Sequence, residues 1–102
     1  MLILGSAIST GDSDVFRTTR DGRVRIDIHG TDVDTVTLEG SHDNSTFFTY
    51  CADGTAKEFT SSNTTHTADL LDLPGGMWFR LSGGSSTDAV TVRVGGRGVV
   101  LV

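Results

Sequence analysis

Three histidines and one cysteine are the side chains in this 102-residue chain best able to move a proton or attack a carbonyl. His29 closes Arg23-Val-Arg-Ile-Asp-Ile-His29 on the polar side of an alternating run, while His42 and His66 lie in polar stretches. Nucleophilic catalysis needs a Ser or Cys held against such a base, with a third group orienting the base. Cys51 follows Tyr50 at the end of an apolar run, where cysteine is more often a small buried apolar residue than a nucleophile. No spacing in the chain assembles a triad. The sequence therefore reads as non-enzymatic, with no catalytic residue and no cofactor. A single cysteine also precludes an internal disulfide and a cysteine-based zinc site.

Carboxylates are the second candidates. Asp12-Ser-Asp14 and Asp32-Val-Asp34 each put two acids on one side of an extended segment, and Asp43-Asn44 adds oxygen donors of the kind calcium accepts. Asp at strand ends is more commonly turn chemistry. No EF-hand loop is present, and no metal site is assigned.

The third chemistry is recognition by the polar stretch Gly40-Ser-His-Asp-Asn-Ser-Thr46. His42, Asp43 and Asn44, with Phe47 and Trp78 as aromatic faces, could form a ligand loop, since sugar sites set exposed rings beside polar side chains. The same stretch also serves as the bend that lets two strands pair, and that is taken as its main role.

The elements that would position these residues are strands. Thirteen glycines with abundant Thr, Ser and Asp disfavour helices, and apolar residues recur with period two. Val24, Ile26 and Ile28 alternate with polar neighbours; so do Val36 and Leu38, Met77, Phe79 and Leu81, and Val90, Val92 and Val94. Turn residues separate the runs at Asp21-Gly22, Asp53-Gly54, Gly75-Gly76, Gly83-Gly84 and Gly95-Gly96. Arg20-Asp21-Gly22-Arg23 carries the strongest two-residue hairpin signal, predicting that a strand near Val15–Thr19 pairs with Arg23–His29. Residues 66–73 suit either one helical turn or an edge strand. About eight short strands at spacings of roughly ten residues predict one domain over residues 1–102, an antiparallel, jelly-roll-like β-sandwich. Met1-Leu2-Ile3-Leu4 and Val99-Val100-Leu101-Val102 are apolar enough to pair within the monomer or to extend and add to another subunit.

Charge narrows the partners. Thirteen acidic residues against eight basic ones give a net charge of -5, which opposes nucleic-acid binding because phosphate contacts need a basic face. The apolar start lacks a positive n-region and stops at Gly5, so no signal peptide is expected. Nothing approaches the length of a membrane span.

Two resemblances follow from these stretches. Leu38-Glu-Gly-Ser-His-Asp-Asn-Ser-Thr-Phe47 resembles the Ser-x-Asp-Gly-x-Thr-Trp hairpin of discoidin-like sugar-binding sandwiches, with Asn44 in place of the glycine and Phe47 in place of the Trp. The order of the Val36–Tyr50 hairpin, the Leu73-Pro-Gly-Gly-Met-Trp-Phe-Arg-Leu-Ser-Gly83 segment and Thr91-Val-Arg-Val-Gly-Gly-Arg-Gly-Val99 resembles small all-β structural proteins of tailed phages, of the head-decoration or cement type. That resemblance covers roughly residues 33–102. It implies a virion protein made in the host cytoplasm that assembles as a symmetric homo-oligomer, with a trimer expected, on a major capsid protein or other virion proteins. The alternatives it leaves are a carbohydrate-binding module of a tail or adsorption device, and a structural head–tail component.

Overall fold

A computed structural model describes residues 2–8, 12–30, 34–61, 67–83 and 90–102. Met1, Asp32, His66, Gly84 and Ala89 lie outside the described residues. The first half of the chain forms β1 (Leu2–Ile8), β2 (Phe16–Thr18), β3 (Gly22–Gly30), β4 (Asp34–Ser41), β5 (Phe48–Thr49) and β6 (Cys51–Ala52). The second half forms β7 (Thr55–Ala56), β8 (Glu58–Ser61), β9 (Thr67–Leu73), β10 (Trp78–Ser82), β11 (Val90–Gly96) and β12 (Val99–Leu101). All pairing is antiparallel, and the chain is an all-β sandwich. One sheet has the order β1-β11-β3-β9. The other runs β12-β2-β10-β4, with β5 and β8 both on the free side of β4.

The alternating runs become the two inner faces. Val24, Ile26, Ile28, Val92 and Val94 from the first sheet meet Phe16, Val36, Leu38, Phe79 and Leu81 from the second in one core. Phe16 stacks on Phe79 with ring centroids 5.6 Å apart, and Tyr50 meets Phe79 edge-on at 5.5 Å. Such pairs add specificity to the area they bury. On the outer side of β3, Arg23, Arg25 and His29 are exposed as the alternation requires. Asp27 shares that side yet is buried, and the Arg25 Nε donates to its Oδ1 at 2.8 Å. Residues 67–73 are an outer strand rather than a helical turn.

Two expectations are corrected. The predicted hairpin at Asp21-Gly22 does not form: β2 pairs with β10 and β12, while β3 pairs with β11 and β9. Residues 19–22 instead carry the chain from one sheet to the other. The segments β9 to β10 and β11 to β12 cross beside it, so three neighbouring segments wrap around one corner of the sandwich.

The corner is tightly bonded. Thr18 N–H donates to Met77 O at 3.0 Å and Gly76 N–H to Thr18 O at 2.6 Å. The buried Thr18 hydroxyl donates to Pro74 O at 2.7 Å. Gly75 N–H donates to Asp21 Oδ1 at 2.6 Å. Gly75 is glycine because a Cβ there would lie 2.4 Å from the backbone Cα and C of Arg20. A turn that packs backbone on backbone leaves no room for a side chain.

The second correction concerns Cys51, which is exposed. Leu38 explains why. Its N–H donates to Lys57 O at 2.9 Å, its carbonyl accepts from Tyr50 N–H at 2.9 Å, and Lys57 N–H donates to Tyr50 O at 3.0 Å. Tyr50 and Lys57 therefore meet alongside β4, and residues 51–56 loop out as a separate small hairpin, β6–β7. The apolar run ends at Tyr50, not one residue later.

Candidate functional site

The polar stretch is a hairpin connection. Glu39 pairs with Thr49 and Gly40 with Phe48, leaving residues 42–47 between β4 and β5. Asp43 organises it: Oδ1 accepts from the N–H groups of Ser45 and Thr46, each at 2.9 Å, and from the Ser41 hydroxyl at 2.9 Å. Asn44 takes the left-handed backbone with φ 58°, which asparagine tolerates better than most residues. The hydrogen bonds from Thr46 and Ser45, then that from Ser41, hold the Asp43 carboxyl below its usual value. A carboxylate bound this way is committed to its own loop.

The aromatic faces that could have completed a ligand loop are covered. The Arg80 guanidinium lies 4.1 Å from the Phe47 ring centroid, and that of Arg17 lies 4.8 Å from Trp78. Arg80 is further fixed by Glu39 Oε1 at 2.7 Å from its Nε and Asp12 Oδ2 at 3.2 Å from its Nη1. A sugar stacking on the Phe47 face that Arg80 covers would have to displace an arginine held by two carboxylates. Of the five residues singled out for a ligand loop, His42, Asp43 and Asn44 are exposed on the connection, Phe47 ends it, Trp78 pairs with Ser41 at its start, and the two rings each carry an arginine.

His42 instead borders a cleft of about 290 Å³ with Gly40, Phe48, Tyr50, Cys51 and Met77. Phe48 is 66% exposed there. Sequence reasoning chose Phe47 over Phe48 from the resemblance to sugar-binding hairpins. The doublet itself held a signal, because neighbouring strand residues point to opposite faces.

The apolar ends are both paired within the chain. Leu2 and Ile3 lie opposite Val94 and Arg93, and Val99 to Leu101 opposite Thr18 to Phe16. Each nevertheless forms the outer strand of its sheet. At the carboxyl-terminal one, Val100, Leu101 and Val102 are 45%, 51% and 60% exposed. Where β11 turns into β12, a larger groove of about 720 Å³ is lined by Arg23, Arg25, Leu70, Gly95, Gly96 and Val99. Its arginines are already engaged, Arg23 with Asp72 at 3.6 Å and Arg25 with Asp27 at 2.8 Å.

Of the acids considered for calcium, Asp12 faces Arg80 and Asp43 is turned into its own loop. Among the described residues no three His, Cys, Asp or Glu side chains gather around a common point. Among them, too, no helix is long and apolar enough to cross a membrane. No protein-family model matches the sequence, and neither does any curated protein or solved structure.

Proposed function

We propose that this chain is a non-enzymatic structural protein of a virion, of the capsid-decoration type, which works by contact with copies of itself and with a major capsid protein. The observation that carries this reading is the outer strand β12 and the residue after it, where Val100, Leu101 and Val102 are exposed at an edge that, among the described residues, no strand but β2 pairs with. Such an edge is an aggregation hazard unless an assembly covers it. The sandwich behind it is tied across both sheets by the bonded corner, as suits a scaffold that must hold a contact surface still. The phage-like order of the hairpin, the aromatic strand and the glycine-valine end agrees with this role.

The test is co-sedimentation of the purified chain with empty heads assembled from a tailed-phage major capsid protein. Saturable binding with a raised shell melting temperature is expected. Binding to tail structures and not to heads would make the chain a head–tail or tail component. The cleft beside His42 favours a second reading, a carbohydrate-binding module. It requires saturable glycan binding that is lost in Phe48→Ala and kept in Trp78→Ala.

A further inference from the structure

We infer that two copies of this chain join through their β12 strands, antiparallel across a two-fold axis, so that the second sheet runs on from one subunit into the next. The inference rests on the contact role proposed above and names the partner of that edge.

The direction of the backbone groups follows from the hydrogen bonds. Thr19 N–H donates to Gly98 O at 2.8 Å, and Val102 N–H donates to Val15 O at 3.1 Å. Antiparallel ladders bond at every second residue. Residues 98, 100 and 102 therefore turn their polar groups toward β2, and Val99 and Leu101 turn theirs to the open side. The far side of β2 agrees, since Thr18 directs its N–H at Met77 of the neighbouring segment. Among the described residues no strand pairs with β12 other than β2.

A second β12 fits this edge better than the outer strands of the first sheet do. β1 carries register shifts between Ile3 and Gly5 and again between Gly5 and Ile8, which break the even spacing of its donors. β9 carries the exposed Asp69 on the side it shares with Ile26, with its carboxylate accepting from Leu70 N–H at 2.9 Å. Irregularity and edge charge both protect edges from addition. β12 has neither, and no side chain in residues 98–102 is charged. For copies that each bear -5, an edge without charged side chains is where close approach meets least repulsion.

Antiparallel pairing about Val100 sets Val99 opposite Leu101 of the partner subunit, and the reverse, as two hydrogen-bonded pairs. Val100 then faces its own copy in a non-hydrogen-bonded pair, with Cα atoms about 4.5 Å apart. This contact closes at two copies, so it gives a dimer in place of the expected trimer.

The experiment is sedimentation equilibrium of the full chain, with a mass of twice 10.8 kDa expected. Leu101→Pro removes an outward N–H while leaving the bonds to β2. It should weaken association roughly thirtyfold, as two lost hydrogen bonds per dimer imply, with unchanged circular dichroism. In a Cys51→Ser background, Val100→Cys should form a disulfide-linked dimer on air oxidation, whereas Ala68→Cys on β9 should not. A monomer at all concentrations, or a dimer indifferent to Leu101→Pro that gives no Val100→Cys link, overturns the pairing. A monomer that still binds heads would defeat the pairing alone. A β12-linked dimer that binds no virion part would defeat the proposed role and leave the pairing standing.

Discussion

At Asp53-Gly54 the chain reverses on itself, while at Asp21-Gly22 the same dipeptide carries it from one sheet to the other. In the first, Asp53 and Gly54 take φ of 53° and 77° and join Ala52 directly to its partner Thr55. Two left-handed residues in succession are what the tight hairpin turn demands. In the second, the Asp21 carboxylate accepts a hydrogen bond from Gly75, 54 residues along the chain, and Gly22 keeps an ordinary φ. The flanking residues account for the difference. Around residues 53–54 the strands are two residues long and mostly exposed, with nothing to bury. Around residues 21–22, Phe16 and the Val24-Ile26-Ile28 face must both be covered, and each already has neighbours on two sides. A turn dipeptide permits a reversal; the apolar residues beside it decide whether one occurs.

That contrast can be tested from its strongest point downward. Gly75→Ala should cost about 3 kcal/mol, lowering Tm by more than about 10 °C, because the new methyl meets the Arg20 backbone, which cannot yield. A variant as stable as the parent in urea unfolding would mean that the crossing is not this close. Thr18→Val keeps the shape but leaves the Pro74 carbonyl without its donor, for a loss of about 2 kcal/mol in the same measurement. Gly54→Ala forces a side chain into the left-handed region and should cost about 1 kcal/mol. Gly22→Ala should be neutral or stabilise by up to about 1 kcal/mol, since a Cβ there meets nothing within 4 Å and φ is unstrained. Equal losses at both glycines would restore the hairpin at Asp21-Gly22.

Asp43 gives the smallest effect and a third way to build a turn, with a side chain in place of a glycine. Its folded pKa is lowered from 3.8, so its contribution is fully present above the unfolded value. It is lost as pH falls through the lower folded value. Nuclear magnetic resonance should show the amides of Ser45 and Thr46 titrating together below pH 3.8. In Asp43→Ala that transition should vanish.

The strands were legible wherever one face is buried: the Val24-Ile26-Ile28 and Phe79-Leu81 alternations appear in the fold as read. What could not be read were outcomes set by distant partners. Nothing near Asp21 announces Gly75, and nothing near Tyr50 announces that Lys57 will meet it opposite Leu38 and push Cys51 into solvent. For the candidate site, the Asp43 loop was visible as turn chemistry. The arginines over Phe47 and Trp78 were not, because Arg80 reaches Glu39 only through the pairing of β10 with β4, and Arg17 reaches Trp78 only through β2 with β10. Periodicity reports which side a residue faces. It does not report who stands next to it.

The wrapping at the corner also sets an order of events during synthesis. β2 takes its neighbours from β10 and β12, and β1 takes its only described neighbour from β11. β2 thus finds no described partner until residues 78–79 are made, and β1 none until residues 90–94 are. Loops this long close slowly, so a nascent chain stalled before residue 90 should be cut first at β1, whose described partner is β11.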